Sequence, residues 1–165
     1  MAEPRLQLEL VPRTAFNINL RKALTPDEWA ACQRYAFDRH QRRCAICQGV
    51  GPRWPVECHE QWAYDEIAGV QRLSALVALC PACHEVVHMG LEAVRGREAA
   101  ATAHLMRING WTLAQAEAHK RKAFSQGARR SQQRWRLDAK LLTQLAIPLS
   151  PETCQQLSLS LANTA

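Results

Sequence analysis

The sequence predicts an α+β protein: a small zinc core of two β-strands and a helix, with α-helices before and after it. Two observations carry this. Four of the seven cysteines fall in two Cys-x-x-Cys pairs, Cys44-Ala-Ile-Cys47 and Cys80-Pro-Ala-Cys83. The stretch between the pairs is short, β-like and turn-rich, whereas both flanks have helical periodicity. At 165 residues the chain can bury one ordinary core with appended helices. Four segments follow: an N-terminal strand and helix (1–43), the zinc core (44–90), a basic helical extension (91–147) and a flexible tail (148–165).

Taken in order, residues 6–10 (LQLEL) alternate apolar and polar as a strand does, and Pro12 ends the pattern. A helix starts at Thr25 as N-cap, with Pro26 in the first helical position and Glu28 three residues after the cap. Its apolar stripe, Trp29, Cys32, Ala36 and Phe37, carries it to about Arg42. Gly49, Gly51 and Pro52 mark a turn before a strand over 54–60, and LSALVAL (73–79) reads as its partner. The connecting 61–72, with Tyr64 and Asp65, reads as a long loop. Pro81 opens a short helix that Gly90 closes. A helix over 96–109 stops at Asn-Gly, and another starts at Thr112 and runs to about Leu145. From Pro148 the composition reads as a frayed tail.

Composition narrows the class. The formal charge is +6, which favours a polyanionic partner over an acidic or membrane-surface one. No run reaches the roughly 18–20 apolar residues of a membrane span, and MAEPRLQLELVPR has no apolar signal core. The expected location is the cytoplasm. In a reducing compartment an odd number of cysteines argues for metal binding over a disulfide framework, with Cys32 and Cys154 left as free thiols.

The two Cys-x-x-Cys pairs bring four thiolates to one point, the tetrahedral sulfur site that zinc prefers; with no open position it is structural. His84 and His88 are left over. Four residues apart on a helix, they share a face and can hold a second ion. His59 ends the first predicted strand, which the hairpin folds over that helix. His104 reads as a surface or half-buried histidine, and His40 and His119 carry no special role.

These residues, Cys-x-x-Cys, a strand ending in Cys58-His59-Glu60, a second apolar strand and LCPACHEVVH, resemble the HNH endonuclease family over residues 44–90. The resemblance implies a ββα-metal (His-Me finger) fold with a structural Zn²⁺ on Cys44, Cys47, Cys80 and Cys83. It also implies a catalytic divalent metal (Mg²⁺, Mn²⁺, Ni²⁺ or Zn²⁺) on His84, His88 and a strand residue. Two registers are open. In one, His59 is the third ligand and Glu60 the general base; in the other, Cys58 is the ligand and His59 the base. The family's middle Asn corresponds to Ala75.

The implied activity is metal-dependent hydrolysis of DNA phosphodiester bonds, as an endonuclease or nickase, with RNA as a further possible substrate. Because Ala75 and Glu60 depart from the family pattern, a second reading stays open: a catalytically inactive, zinc-stabilised nucleic-acid or protein-binding module. For phosphate contact the candidates are Arg95 and Arg97, just beyond the metal helix, and Lys120, Arg121, Lys122, Arg129, Arg130 and Arg134. Phe124 and Trp135 lie among them, either stacking on bases or buried in the core.

Overall fold

The computed structural model describes residues 4–159. A 3₁₀ turn, Arg13–Ala15, leads into α1 (Leu20–Ala23) and α2 (Pro26–Arg39). A hairpin of β1 (Glu57–Asp65) and β2 (Val70–Leu79) follows, then α3 (Pro81–Val87), α4 (Met89–Val94), α5 (Glu98–Asn109) and α6 (Leu113–Arg130). The chain closes with β3 (Arg136–Asp138), α7 (Leu141–Gln144) and α8 (Pro151–Gln156). Among the described residues no helix is long and apolar enough to cross a membrane.

β1 and β2 pair antiparallel, with His59 opposite Val77 and Gln61 opposite Ala75; β3 adds parallel to the far side of β2, so β1 is an edge strand. The two faces of the hairpin bury different cores. Cys58, Leu73 and Leu76 meet Leu20 of α1, Leu24 just after it, and Cys32 and Ala36 of α2, together with Leu142. On the other side, Leu79 and the cysteines Cys44, Cys80 and Cys83 pack with Val86, Met89, Leu105 and Ala116. Because side chains alternate along a strand, the same alternation that buries Cys58 against α2 turns His59 toward α3.

The N-terminal alternation buries Leu6 and Leu8, yet residues 6–10 form no strand. Their backbone bonds go elsewhere: Leu6 N–H to Asn109 Oδ1 (3.1 Å), Leu8 N–H to His119 Nε2 (3.2 Å) and Glu9 N–H to the Val87 carbonyl (3.0 Å). The segment is thus strapped across α5, α6 and the end of α3 by two side chains and one backbone carbonyl that satisfy it one group at a time.

Other expectations need correcting. α2 stops at Arg39 because Gln41 and Arg42 turn left-handed (φ 52° and 56°) to deliver Cys44. The long loop 61–72 is mostly strand. Its turn is only residues 66–69, pinned by Asp65 Oδ1 accepting from the Ile67 and Ala68 N–H groups, and Gly69 (φ 64°) supplies the left-handed exit. The helix expected to end at Gly90 breaks earlier, at His88, and α4 continues past that glycine. The helix expected to reach Leu145 ends at Arg130, since Arg136 N–H pairs with the Gly69 carbonyl and starts β3.

Nor is the region after Pro148 loose up to residue 159. Ser150 caps α8, and Glu28 accepts from both Ser150 N–H (2.7 Å) and Thr153 Oγ1–H (2.9 Å), docking α8 on α2. The rest of the expected tail, 160–165, lies outside the described residues.

Candidate metal centre

The first cysteine pair sits in the loop after α2, where Ala45 N–H bonds the Ala78 carbonyl of β2 (2.8 Å) and Gly49 N–H reaches Cys47 Sγ (3.4 Å). The second pair joins the end of β2 to the first turn of α3, where Pro81 takes the first helical position. The loop between the pairs passes close to Pro81: a Cβ on Gly51 would lie 2.4 Å from the Trp54 carbonyl oxygen and 2.6 Å from Pro81 Cδ, so only glycine fits.

The four sulfurs lie within 4.8 Å of one another. Cys47 Sγ and Cys80 Sγ are 3.6 Å apart, far beyond a disulfide bond and close to the ~3.8 Å that tetrahedral Zn–S bonds of ~2.3 Å require. Four thiols at this spacing cannot all ionise by themselves. The Cys83 S–H bond holds Cys44 down to about 4, that contact and burial push Cys83 up, and burial pushes Cys80 to about 11. A dication is what lets four thiolates share one point, so the donor set fits a structural zinc.

On the β1 side of α3, His59, His84 and His88 bring their ring nitrogens within 4.8 Å of one another. His84 Nε2 and His88 Nε2 are 3.1 Å apart, and the His59 ring centroid is 5.3 Å from that of His84 and 5.1 Å from that of His88. Burial, with the neighbouring imidazoles, holds His88 down to about 3; burial first, with the Arg21 charge among the later causes, also lowers His84. Both rings are therefore neutral near pH 7 with lone pairs to donate. Cys58 is not in this group: its sulfur faces the Cys32 carbonyl, and burial pushes its thiol to about 12.

Two carboxylates hold the trio, and neither is Glu60. Glu57, two residues before His59 and so on the same strand face, hydrogen-bonds His84 Nδ1 and leaves Nε2 free. Glu9, from the strapped N-terminal segment, bonds His59 Nε2 at 2.9 Å and accepts from Gln61 Nε2 at 3.1 Å. Glu60 is turned to the opposite face, where Oε1 accepts from Leu20 N–H (3.0 Å) and burial raises its pKa. The spacing of Glu57 was readable as a shared face. Glu9 gave no local signal, because its contact spans 50 residues.

The trio opens on a cleft of about 710 Å³ along the β1 edge, lined also by Glu9, Phe16, Arg21, Trp29, Glu60 and Arg130. The expected basic residues divide. Lys120 is 7% exposed and turned inward onto Glu98, Glu117 and Thr102, so it is a structural cation. Arg129 and Arg130 bond Glu66, and Arg95 and Arg97 bond the buried Glu92. Arg121, Lys122 and Arg134 are exposed. Trp135 is core, 4% exposed and edge-on to Tyr64 at 4.9 Å, whereas Phe124 is 39% exposed. His104 sits beside the four-cysteine site, with Nε2 3.2 Å from Cys83 Sγ.

Compared with known proteins, the chain matches no protein family, no curated protein and no solved structure.

Proposed function

We propose that the protein is a divalent-metal-dependent endonuclease or nickase of the HNH type, hydrolysing phosphodiester bonds in DNA on a ββα-metal core. The single observation that carries the reading is the convergence of three imidazoles, His59 from β1, His84 from α3 and His88 from the C-cap of α3, on the wall of a cleft. Three imidazoles with no fourth protein donor among the described residues leave room for water and a phosphate oxygen, as catalytic sites do and structural ones do not. A bound divalent ion supplies Lewis acidity to the phosphoryl oxygen and lowers the pKa of water.

The chain's own residues do the rest. Glu57 accepts from His84 Nδ1–H, which leaves the Nε2 lone pair to hold a metal. Glu9, which faces the cleft beside His59, receives the proton of the attacking water. Glu60, the acceptor expected from the strand register, serves instead to tie β1 to α1.

A second reading has its own observation. Ala75 stands opposite Gln61 where the family's Asn would lie, and Glu60 is committed to Leu20, so the chain offers fewer groups to a phosphate than the resemblance implies. This favours a binding module that kept the fold and lost the reaction.

Cleavage of supercoiled plasmid separates the two. With Mg²⁺, Mn²⁺, Ni²⁺ or Zn²⁺ added and EDTA as control, the nuclease reading expects nicking by wild type and loss of nicking in folded His59→Ala and His84→Ala. Glu9→Gln should be impaired more than Glu60→Gln. Salt-sensitive DNA binding with no cleavage under any metal moves the conclusion to the binding module.

A further inference from the structure

Two cations line the cleft, and they stand in different states. Arg130 is committed: its Nε bonds Glu66 at 2.9 Å and its guanidinium lies over the Tyr64 ring at 4.7 Å. Arg21 pairs with no carboxylate and makes no side-chain hydrogen bond among the described residues; its guanidinium lies over the Trp29 ring, 5.3 Å from the centroid. Stacking fixes the plane of a guanidinium and leaves its in-plane N–H donors free for an oxyanion.

The residue is also held in place. Asn19 caps α1 through Lys22 N–H (3.0 Å), Leu20 is fully buried beneath it, and Leu20 N–H anchors on Glu60 of β1, the strand that carries His59. Arg21 is thus tied to the strand of a ligand by a two-residue link, and its side chain is exposed to the cleft.

We propose that Arg21, stacked on Trp29, is the residue that seats the substrate phosphate in the cleft. The identity of the anion as a nucleic-acid phosphodiester rests on the nuclease reading above. Clefts of roughly 300–1,000 Å³ enclose a ligand of drug size, and about 710 Å³ therefore takes a nucleotide or two of one strand. The strand enters locally unpaired, with its phosphate on the Arg21 fork.

The test is fluorescence anisotropy of 5′-fluorescein-labelled octathymidylate on the full chain with its structural zinc retained and no second metal added. The variants are Arg21→Ala, Arg21→Lys and, as a control, Arg34→Ala, an exposed α2 arginine that does not line the cleft. Arg21→Ala should bind about tenfold more weakly, with a salt slope shallower by ~0.7, as loss of one charge-assisted phosphate contact on a single strand requires. Arg21→Lys should recover part of the affinity, because it keeps the charge and loses the fork.

Equal affinities of Arg21→Ala and Arg34→Ala overturn the assignment, as does failure of wild type to bind the oligonucleotide at low salt. If binding behaves as expected but no metal supports cleavage, the hydrolase reading fails and the Arg21 assignment stands. If wild type cleaves while Arg21→Ala keeps its KM and its affinity, the reverse holds.

Discussion

His104 Nε2 lies 3.2 Å from Cys83 Sγ, and on the other side of the same ring Arg107 donates to His104 Nδ1 at 2.7 Å. Because arginine only donates, Nδ1 is the acceptor and Nε2 carries the proton, which makes His104 an N–H donor to a zinc-site sulfur. Such outer partners orient and stabilise ligand thiolates, so His104→Ala should weaken zinc affinity by about 10–100-fold in a protein that still folds. Competition with a chromophoric chelator measures this; an unchanged affinity would show that the contact is incidental.

Glu57 plays the matching part at the imidazole site. Glu57→Gln leaves the four sulfurs untouched but removes the charge that fixes the His84 tautomer. Binding of a second metal, followed by Co²⁺ absorption, should weaken by about 10–100-fold while zinc content stays the same. Equal loss at both sites would mean that the substitution acts through folding.

Zinc and fold should be inseparable. Cys44, Cys80 and Cys83 are buried in the same cluster as Leu79, Val86 and Leu105, so an ion bound there would tie the loop after α2 to β2 and α3. Stripping it with a strong chelator should cost cooperative thermal unfolding, and Cys80→Ser should reproduce the loss. His88→Ala should not. A chelated protein with an unaltered melting curve would rule out a structural role.

Glu28 predicts a pH dependence. Burial raises its pKa, but hydrogen bonds from Ser150 and Thr25 N–H and from Thr153 outweigh that and hold it at about 2, against 4.5 for a free glutamate. A carboxyl whose folded pKa is depressed stabilises the fold fully above the unfolded value and less as pH falls toward the folded one. Glu28→Gln should therefore cost roughly 2–3 kcal/mol near neutral pH, and the difference from wild type should shrink between about pH 4.5 and about pH 2. Denaturant unfolding at several pH values reads this directly. A gap that does not change with pH would locate the effect in packing.

What the chain announces and what it conceals follow from the range of each interaction. The capping box at Thr25 and Glu28, the cysteine pairs and the His84–His88 spacing are local, within four residues, and all lie in the structure as the residues imply. The hairpin is longer than its apolar runs because Gln61, Tyr64 and Gln71 are polar strand residues that the antiparallel ladder nevertheless pairs. β3 is three residues paired with a strand 66 positions earlier, a contact that no local pattern encodes. Arg21 and Glu9 belong to the same class: Glu9 reaches His59 across 50 residues, and Arg21 reaches the cleft because Leu20 N–H anchors α1 on Glu60 of β1. Lys120 shows the converse error, where a basic run looks solvated but one member turns inward to satisfy Glu98 and Glu117.

The most direct test of the open imidazole site is the plasmid nicking rate measured against added Mn²⁺ for zinc-replete wild type and His88→Ala, with zinc content recorded for each. Wild type should turn on as a second metal site fills, whereas His88→Ala should keep its zinc and stay inactive. Nicking by His88→Ala at the wild-type rate, or no nicking by wild type with Mn²⁺ or the other three metals, would contradict it.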